Sequence, residues 1–468
     1  MAGRLALADE GQITGTNRLE IWATDSLWSA AYLNQLDILY AGGHWLVGAR
    51  MELDEETTRW DKEQGIEIPR RYAEYREDIF RLRAGTFYTT FGRGMLLRAM
   101  EDEEVRVDRD IDGVYGGVSW KWLEAQGLVG RPRNDDTHRR DDLLSGIDLE
   151  AQVTSSTRIG GGYVRLDASG EAGDPDLGRP IEEITSGRLQ WTHGPVDAFL
   201  EGATRILHGK RNLRGEWKAT DAEDGHAWYG SLSFCFPGYT MLFEGKNYLR
   251  FDAPYSTLPP VNNEGQPIND GQDERGLGML ITASPSTDLT IECTASWAEA
   301  TDGEAERSDA KGMLRKDWWN RGSLQFSGEW TKEKMLEGHD EREYYGPSVD
   351  ASYYLNPMLS LQLTGYVYAR NDSVFGNRDE YAEVSADLTL SHASSRSVTL
   401  SMIKASEPIR EYGKDDLWLS LQVAWTFDYS HDLLIKIGKE RGGIVCSGGL
   451  CHYEPPFSGV RVELVSRL

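Results

Sequence analysis

The chain has 468 residues, of which only 39% are hydrophobic, and it carries a formal net charge of −26. That charge argues against a nucleic-acid-binding protein, because neutralising phosphates takes concentrated Lys and Arg. No run of residues approaches the roughly 18 apolar residues of a membrane helix, so a membrane could be crossed only by strands of about ten residues each.

The composition suits a barrel with a water-filled interior. Only one face of each strand has to be apolar in such a barrel, which accounts for a low apolar fraction combined with 10% aromatic residues and 50 glycines. A soluble all-β protein would share these numbers, so the composition leaves both classes open.

Residues 1–13 are interpreted as an N-terminal tail. Ala6 and Ala8 give an Ala-x-Ala pattern like the end of a signal peptide, but the apolar stretch before it is shorter than a working signal needs. The segment is therefore expected to be a signal-peptide remnant, and residues 14–468 are expected to form one barrel.

The chain then opens with a strand and a hairpin. Residues 18–24 alternate apolar and polar side chains, as a half-buried strand does. Runs at 32–41 and 45–53 flank the pair Gly42 and Gly43, and two glycines between extended runs mark a hairpin turn.

The region from residue 83 to 132 has two interpretations. Residues 87–94 and 113–122 each have the pattern of a full strand. Alternatively, part of this region folds into the lumen, and such an inward segment would narrow a pore.

Four arginines near this region are candidates for pore-lining selectivity residues. Arg81 and Arg83 share a parity opposite Phe80 and Leu82, so both are expected to face the lumen. Together with Arg93 and Arg98 they would set a transverse field that selects solutes by charge and size. The alternative is that they neutralise lumenal carboxylates and hold the wall together.

Short and long connections alternate along the chain. Outer-membrane barrels sort their connections in this way, with short periplasmic turns and long extracellular loops. Short turns are predicted near residues 155–156, 193–195, 237–238, 284–286, 320–322, 356–357, 393–394 and 429–430. Long loops are predicted near residues 99–112, 131–144, 168–182, 208–224, 252–274, 299–309, 335–345, 370–379, 406–416 and 440–457.

The C-terminal strands show the alternation most clearly. From Leu417 to Tyr429 every odd position is apolar and most even positions are polar. The amphipathic stretch that runs up to Leu468 needs a neighbouring strand, which a closed barrel supplies. The fold class predicted is all-β, a transmembrane antiparallel β-barrel of roughly 20–24 strands.

Aromatic residues cluster near the predicted strand ends. In a barrel they would form girdles at the two membrane interfaces, whereas ordinary packing is the alternative. The residues concerned are Trp45, Trp228, Tyr229, Tyr239, Trp318, Trp319, Trp425, Phe427 and Tyr429.

Two cysteines are predicted to form a disulfide on the last extracellular loop. Cys446 and Cys451 flank Ser-Gly-Gly-Leu, which lets the chain turn back and close a small ring in an oxidising compartment. Their spacing does not match the two-residue zinc knuckle. Cys293 lies on the apolar parity of its strand and is interpreted as a small hydrophobe.

No catalytic or metal-binding constellation can be singled out. Asp108, Asp110 and Asp112 begin like a calcium loop, but Ser119 occupies the twelfth position, where a bidentate Glu is required. No Ser-His-Asp or Cys-His arrangement stands out among the nine histidines. The sequence therefore predicts no enzyme activity, no metal and no cofactor.

The most distinctive motifs are RGGIVCSGGLC at residues 441–451 and AGTFYTTFGRG at residues 84–94. Both resemble segments of a family of uncharacterised porin-like outer-membrane proteins of Bacteroidetes and related bacteria. The resemblance implies an outer-membrane barrel exported through a signal peptide, with no assigned substrate. Leu468 departs from the Phe that usually ends such barrels.

These features together favour a porin-like channel of the bacterial outer membrane for passive diffusion of small polar solutes. A structural barrel that anchors a surface or secretion complex is the first alternative, and a soluble all-β glycan-binding surface protein is the second. The expected partners are outer-membrane lipid, with further copies of the chain or accessory surface proteins, and no nucleic acid.

Overall fold

The computed structural model describes most of the chain. No helix among the described residues is long and apolar enough to cross a membrane. The described residues are 11–24, 30–55, 66–102, 107–134, 139–168, 181–208, 210–211, 217–218, 223–261, 273–303, 305–318, 321–334, 341–374, 377–393, 395–406, 415–447, 450–454 and 456–467.

The described secondary structure consists of antiparallel strands. Their bounds are β1 Gln12–Thr24, β2 Ala30–Gly42, β3 Trp45–Glu55, β4 Ile66–Arg76, β5 Phe80–Phe87, β6 Thr89–Phe91, β7 Leu97–Ala99, β8 Glu101–Asp102, β9 Val107–Asp108, β10 Ile111–Trp120, β11 Leu123–Pro132, β12 Leu143–Gln152, β13 Thr157–Asp167, β14 Ile181–His193, β15 Val196–His208, β16 Lys210–Arg211, β17 Trp217–Lys218, β18 Glu223–Phe236, β19 Tyr239–Leu249, β20 Glu274–Ser286, β21 Leu289–Ala300, β22 Glu306–Trp318, β23 Gly322–Lys334, β24 Glu341–Asn356, β25 Leu359–Val374, β26 Asn377–His392, β27 Arg396–Ala405, β28 Leu417–Phe427, β29 His431–Glu440, β30 Gly443–Ser447, β31 Leu450–Glu454 and β32 Phe457–Arg467.

Twenty-four of these strands form one closed barrel. Each pairs with the next along the chain, and β1 also pairs with β32, with Thr16 opposite Arg467 and Thr24 opposite Gly459. The other eight described strands form two-stranded hairpins within connections. The predicted fold class is confirmed, at the upper end of the predicted strand number.

The exterior of the barrel is apolar. On β28, Leu417, Leu419, Leu421 and Val423 point outward with 37 to 47% of their surface exposed, whereas Ser420, on the opposite parity, is buried inside. Apolar side chains exposed in this way around a closed barrel form a lipid-facing band. The interpretation as a soluble all-β glycan-binding protein is therefore wrong.

The connections are sorted by length between the two ends of the barrel. The turns after β4 and β12, at 77–79 and 153–156, lie at the end of the barrel where Thr16 of β1 pairs with Arg467 of β32. Longer connections, such as 133–142, lie at the opposite end. We refer to these ends as the short-turn end and the long-loop end. In outer-membrane barrels they face the periplasm and the exterior, respectively.

Two of the predicted long loops are much shorter than predicted. Residues 370–379 mostly continue β25 and β26, which leaves only 375–376 between the strands, and 299–309 shrinks to 301–305. The polar side chains that suggested loops belong to strands that continue to pair beyond the apolar band, where both faces meet water.

An aromatic girdle surrounds the short-turn end, where Trp45, Trp120, Trp318 and Trp425 are each about half exposed on the outside. Tyr229 was predicted for a girdle and is instead 4% exposed inside the barrel. Adjacent residues of a strand point to opposite faces, so only its neighbour Trp228 reaches the lipid side. Trp319 and residues 1–10, which include most of the predicted signal remnant, lie outside the described residues.

Candidate functional site

Residues 88–102 fold into the lumen, and we call them the inward turn. β6 and β7 pair as a short hairpin inside the barrel, and Phe91, Met95, Leu96 and Leu97 within it are at most 1% exposed. These apolar residues pack on inward-facing wall residues such as Val164, and together they form one buried cluster. Of the two interpretations of the region 83–132, the inward segment is confirmed between β5 and β10, both of which are barrel strands.

Glu201, on the inner face of β15, anchors the tip of the inward turn. Its carboxylate accepts a hydrogen bond from the backbone N–H of Arg93 at 2.9 Å, and Ser186 Oγ donates to it at 3.3 Å. Gly92 has a φ of +62°, and a Cβ at this position would collide with Glu201 Oε1. Glycine is therefore required here both for the left-handed backbone and for the close approach to the wall.

A second inward segment, residues 250–261, packs on the inward turn. The Arg98 N–H donates to the Tyr255 carbonyl at 2.8 Å, and the Thr257 N–H donates to the Gly94 carbonyl at 3.0 Å. Tyr255 also reaches the wall side, where its hydroxyl donates to Asp142 Oδ2 at 2.9 Å. The two segments thus fill the same part of the lumen as one packed unit.

The far end of the inward turn is held by charge. Glu101 forms ion pairs with Arg50 of β3 and Arg70 of β4. Burial alone would raise the pKa of the Glu101 carboxyl, but the two guanidinium groups outweigh burial and hold the pKa below its ordinary value. Glu101 is therefore a carboxylate at neutral pH and ties the turn to the wall across β3 and β4.

Arg81 and Arg83 both face the lumen, on the parity opposite Phe80 and Leu82. They surround Glu74 of β4, which has no exposed surface, at 3.5 Å from Arg81 Nε and 3.3 Å from Arg83 Nη1. Arg76 forms a third ion pair with the same carboxylate. Three guanidinium groups therefore share one buried carboxylate.

Arg93 and Arg98 lie on the inward turn, apart from that group. The Arg93 guanidinium stacks over the Phe199 ring at 4.5 Å from its centroid, and the side chain is exposed to the lumen. Arg98 is half-buried, and its burial lowers the pKa of its guanidinium. The structure therefore splits the four predicted selectivity arginines between the wall and the inward turn.

A cavity of about 630 Å³ lies between the inward turn and the short-turn end. We call this cavity the vestibule. Arg81, Arg93, Tyr115, Gln126 and Arg188 contribute to its lining, whereas Arg83 and Arg98 do not.

The two least exposed carboxylates of the vestibule, Asp148 and Glu150, are already paired. Arg188, only 8% exposed, donates to Asp148 at 2.6 and 2.9 Å and to Glu150 at 3.1 Å. The exposed carboxylates that also line the vestibule are Glu77, Asp78 and Glu124, close to the turns.

The opposite half of the lumen is polar. Among the described residues, the buried apolar cluster contains no residue that follows Val261 in the sequence. The inward faces of β25 to β27 instead carry hydroxyl and amide groups, such as Gln362, which is exposed, and Thr389 and Thr399, 2.9 Å apart. The barrel is thus packed on one side and hydrophilic on the other.

The three aspartates that suggested a calcium loop have separate arginine partners. Asp108 pairs with Arg133 at 3.0 Å, and Asp112 pairs with Arg71 at 2.9 Å. Asp110 pairs with Arg140 at 2.5 Å. No group of His, Cys, Asp and Glu that could hold a metal ion occurs among the described residues.

Cys446 and Cys451 face each other across the β30–β31 hairpin as register partners. Opposite residues of an antiparallel pair have Cα atoms about 4.5–5.5 Å apart, a separation that a disulfide can bridge. Their side chains lie outside the described part of the chain, so the disulfide stays a prediction. Cys293 is exposed on the outside of β21 as a free thiol, in keeping with its apolar parity.

Sequence reasoning missed the anchors and the second inward segment. Glu74, Glu101 and Glu201 are ordinary members of a chain with 76 acidic residues, and nothing local distinguishes them. The second inward segment did leave a signal, because Phe251, Tyr255 and Val261 put apolar side chains into a stretch predicted to be an exposed loop.

The barrel resembles solved outer-membrane barrels. The P pilus usher (PapC) translocation pore matches with a TM-score of 0.51 at 10% identity, over 97% of this chain and 98% of that one. A chain of the E. coli P pilus tip assembly intermediate PapC-PapD-PapK-PapG matches with a TM-score of 0.57 at 9% identity, over 99% of this chain and 62% of that one. Pseudomonas aeruginosa OccK3 (OpdO) gives a TM-score of 0.44 at 13% identity, over 70% of this chain and 92% of that one.

At these identities the similarity concerns the fold alone. Among curated proteins, none matches the sequence. The model of a family described as of unknown function, DUF6029, matches residues 18–269 and 335–468. The closed ring, the apolar exterior and the sorted connections make this an outer-membrane β-barrel.

Proposed function

Since the chain belongs to this family of unknown function, DUF6029, its activity is inferred from the barrel, and we propose that it is a porin-like channel for passive diffusion of small polar solutes. The observation that carries the proposal is the division of the lumen. One half is filled by the two inward segments, and the other half presents polar side chains along β25 to β27. A hydrophilic path beside a fixed constriction is the arrangement of a diffusion channel.

Selectivity in this proposal comes from the charges around the constriction. Arg81 and Arg83 on the wall, with Arg93 and Arg98 on the inward turn, set the local field on one side of the path. The carboxylates Glu74 and Glu101 hold this array in place, so the predicted structural role of the arginines and their role in selectivity coexist.

The test is conductance in a planar lipid bilayer. Purified, folded protein is expected to give single-channel currents that rise with KCl concentration. A variant in which residues 89–99 are replaced by a short Gly-Ser linker is expected to conduct more, because the linker removes the buried hairpin that narrows the lumen. Folded protein that inserts without conducting would overturn the proposal.

An anchoring barrel within a surface complex is the second candidate. It is favoured by β24, β25 and β26, each 16 residues long, which is more than the roughly ten that a barrel strand needs to span a bilayer. They extend the wall at the long-loop end as a rim that a partner protein or another copy of the chain could contact. Chemical crosslinking on intact cells that captures a stoichiometric partner, together with absent conductance, would favour this function.

A further inference from the structure

Three arginines cluster around one carboxylate of β4 beside the vestibule, and two of them, Arg76 and Arg81, line it. Arg76, Arg81 and Arg83 share the single carboxylate of Glu74. Arg81 Nε is buried and makes no hydrogen bond to any described residue, although Glu74 Oε1 lies 3.5 Å away. The Arg81 guanidinium is held over the Tyr115 ring at 4.7 Å from its centroid, so a fixed cationic donor lines the vestibule.

Arg93 supplies a second cation on the same cavity. Its side chain is positioned by stacking on Phe199 and by the hydrogen bond from its own backbone N–H to Glu201. No ion pair to Arg93 is found within the part of the chain that the structure describes. A guanidinium stacked on an aromatic face keeps the N–H donors of its rim available for an in-plane acceptor.

The carboxylates of the vestibule do not cancel these two cations. Asp148 and Glu150 are engaged by Arg188. Glu77, Asp78 and Glu124 are exposed close to the turns, where solvent and salt screen them. Screening weakens their field without abolishing it, so at the opening they repel a solute with two negative charges more strongly than a solute with one.

We propose that the vestibule is a binding site for small monocarboxylate solutes, with Arg81 and Arg93 as the groups that hold the carboxylate. Guanidinium donors match the planar carboxylate geometry, and charge-assisted hydrogen bonds of this kind are stronger than neutral ones. The site rests on the proposed channel function, since it lies on the route from the short-turn end to the inward turn. It would concentrate organic acids, relative to neutral and cationic solutes of equal size, at the short-turn end beside the polar path.

Isothermal titration of the detergent-purified barrel with benzoate, benzamide, benzylammonium and inorganic phosphate tests this site without relying on conductance. Benzoate is expected to bind at least about tenfold more tightly than the other three, which is the discrimination a charge-assisted contact supplies. Equal binding of benzamide, or tighter binding of benzylammonium or phosphate, would overturn the assignment. Benzoate binding without bilayer conductance would remove the channel function and leave the site.

Variants locate the site. Arg81→Gln and Arg93→Gln are each expected to weaken benzoate binding about tenfold. Arg315→Gln is the matched control, because Arg315 faces the lumen from β22, pairs with Asp317 and does not line the vestibule. Arg93 has only its stacking contact to lose, so Arg93→Gln is expected to fold, and benzoate binding unchanged in that variant would refute the proposal.

Discussion

The Glu201 carboxylate on the barrel wall accepts a hydrogen bond of 2.9 Å from the backbone N–H of Arg93, although the two residues are 108 positions apart in the chain. This contact fixes the tip of the inward turn to β15. Because the acceptor belongs to the rigid wall and the donor to a turn, the turn is the part expected to move when the contact is lost.

Glu201→Ala should loosen the inward turn and lower the free energy of unfolding by about 1–3 kcal/mol, because the Arg93 N–H loses a buried acceptor. Glu201→Gln keeps an acceptor oxygen and should cost less. Urea unfolding in detergent gives the free energies, and single-channel recording should show larger current fluctuations for the alanine variant. Alanine and glutamine variants of equal stability would contradict the role assigned to this hydrogen bond.

Gly92→Ala should displace the same turn by a different route. The added methyl collides with Glu201 Oε1, and the φ of +62° is unfavourable for alanine. Gly187→Ala is the matched control, since a Cβ there meets nothing within 4 Å. Only the first variant should change conductance, and the double variant Gly92→Ala/Glu201→Ala should lose less stability than the sum of the single changes. Strict additivity would show that the two residues do not meet.

Acid should weaken the other anchor. The folded-state pKa of Glu101 lies below its ordinary value, so the carboxylate's stabilising contribution is fully present above that ordinary value and is lost as the pH falls through the folded-state pKa. Channel currents should therefore be steady from pH 7 down to about pH 5 and become noisier toward pH 3. Glu101→Gln cannot form the ion pairs at any pH, and a wild-type acid response persisting in this variant would rule out Glu101 as its origin.

Cys446 and Cys451 should form a disulfide in protein from intact cells. Their opposite positions in the β30–β31 hairpin satisfy the backbone requirement for the bond. Alkylation before and after reduction, followed by mass spectrometry, should label both cysteines only after reduction. Cys235 and Cys293 are free in the structure and serve as controls that should be labelled without it. Labelling of all four before reduction would exclude the bond.

The barrel itself could be predicted from sequence because its rules are periodic. Alternation along Leu417–Phe427 fixed the outward face of β28, and the lengths of the connections fixed the two ends. Strand ends were harder, since polar residues near 370–379 suit both a loop and a strand that extends past the bilayer. An error of one residue moves a side chain from the outside of the barrel to the inside, and for this reason Tyr229 was assigned to the girdle although it faces the lumen.

The inside of the barrel was less predictable, because it depends on contacts without a local pattern. Arg81 and Arg83 could be assigned to the lumen by parity, but their common partner Glu74 could not be chosen among many carboxylates. Likewise, the sequence allowed an inward segment between residues 83 and 132, whereas its docking site on Glu201 depends on a register set across the eight intervening strands, β7 to β14.

The pairing of β1 with β32 has a consequence for how the protein reaches the membrane. Until that seam forms, the first and last strands each carry a row of unpaired backbone groups that hydrocarbon cannot satisfy. Thr16 of β1 pairs with Arg467 of β32, near the other end of the chain. The free edge of β1 therefore stays open to aggregation until nearly all the other strands have formed. A point change that weakens the seam is therefore expected to lower the yield of inserted protein before it affects transport.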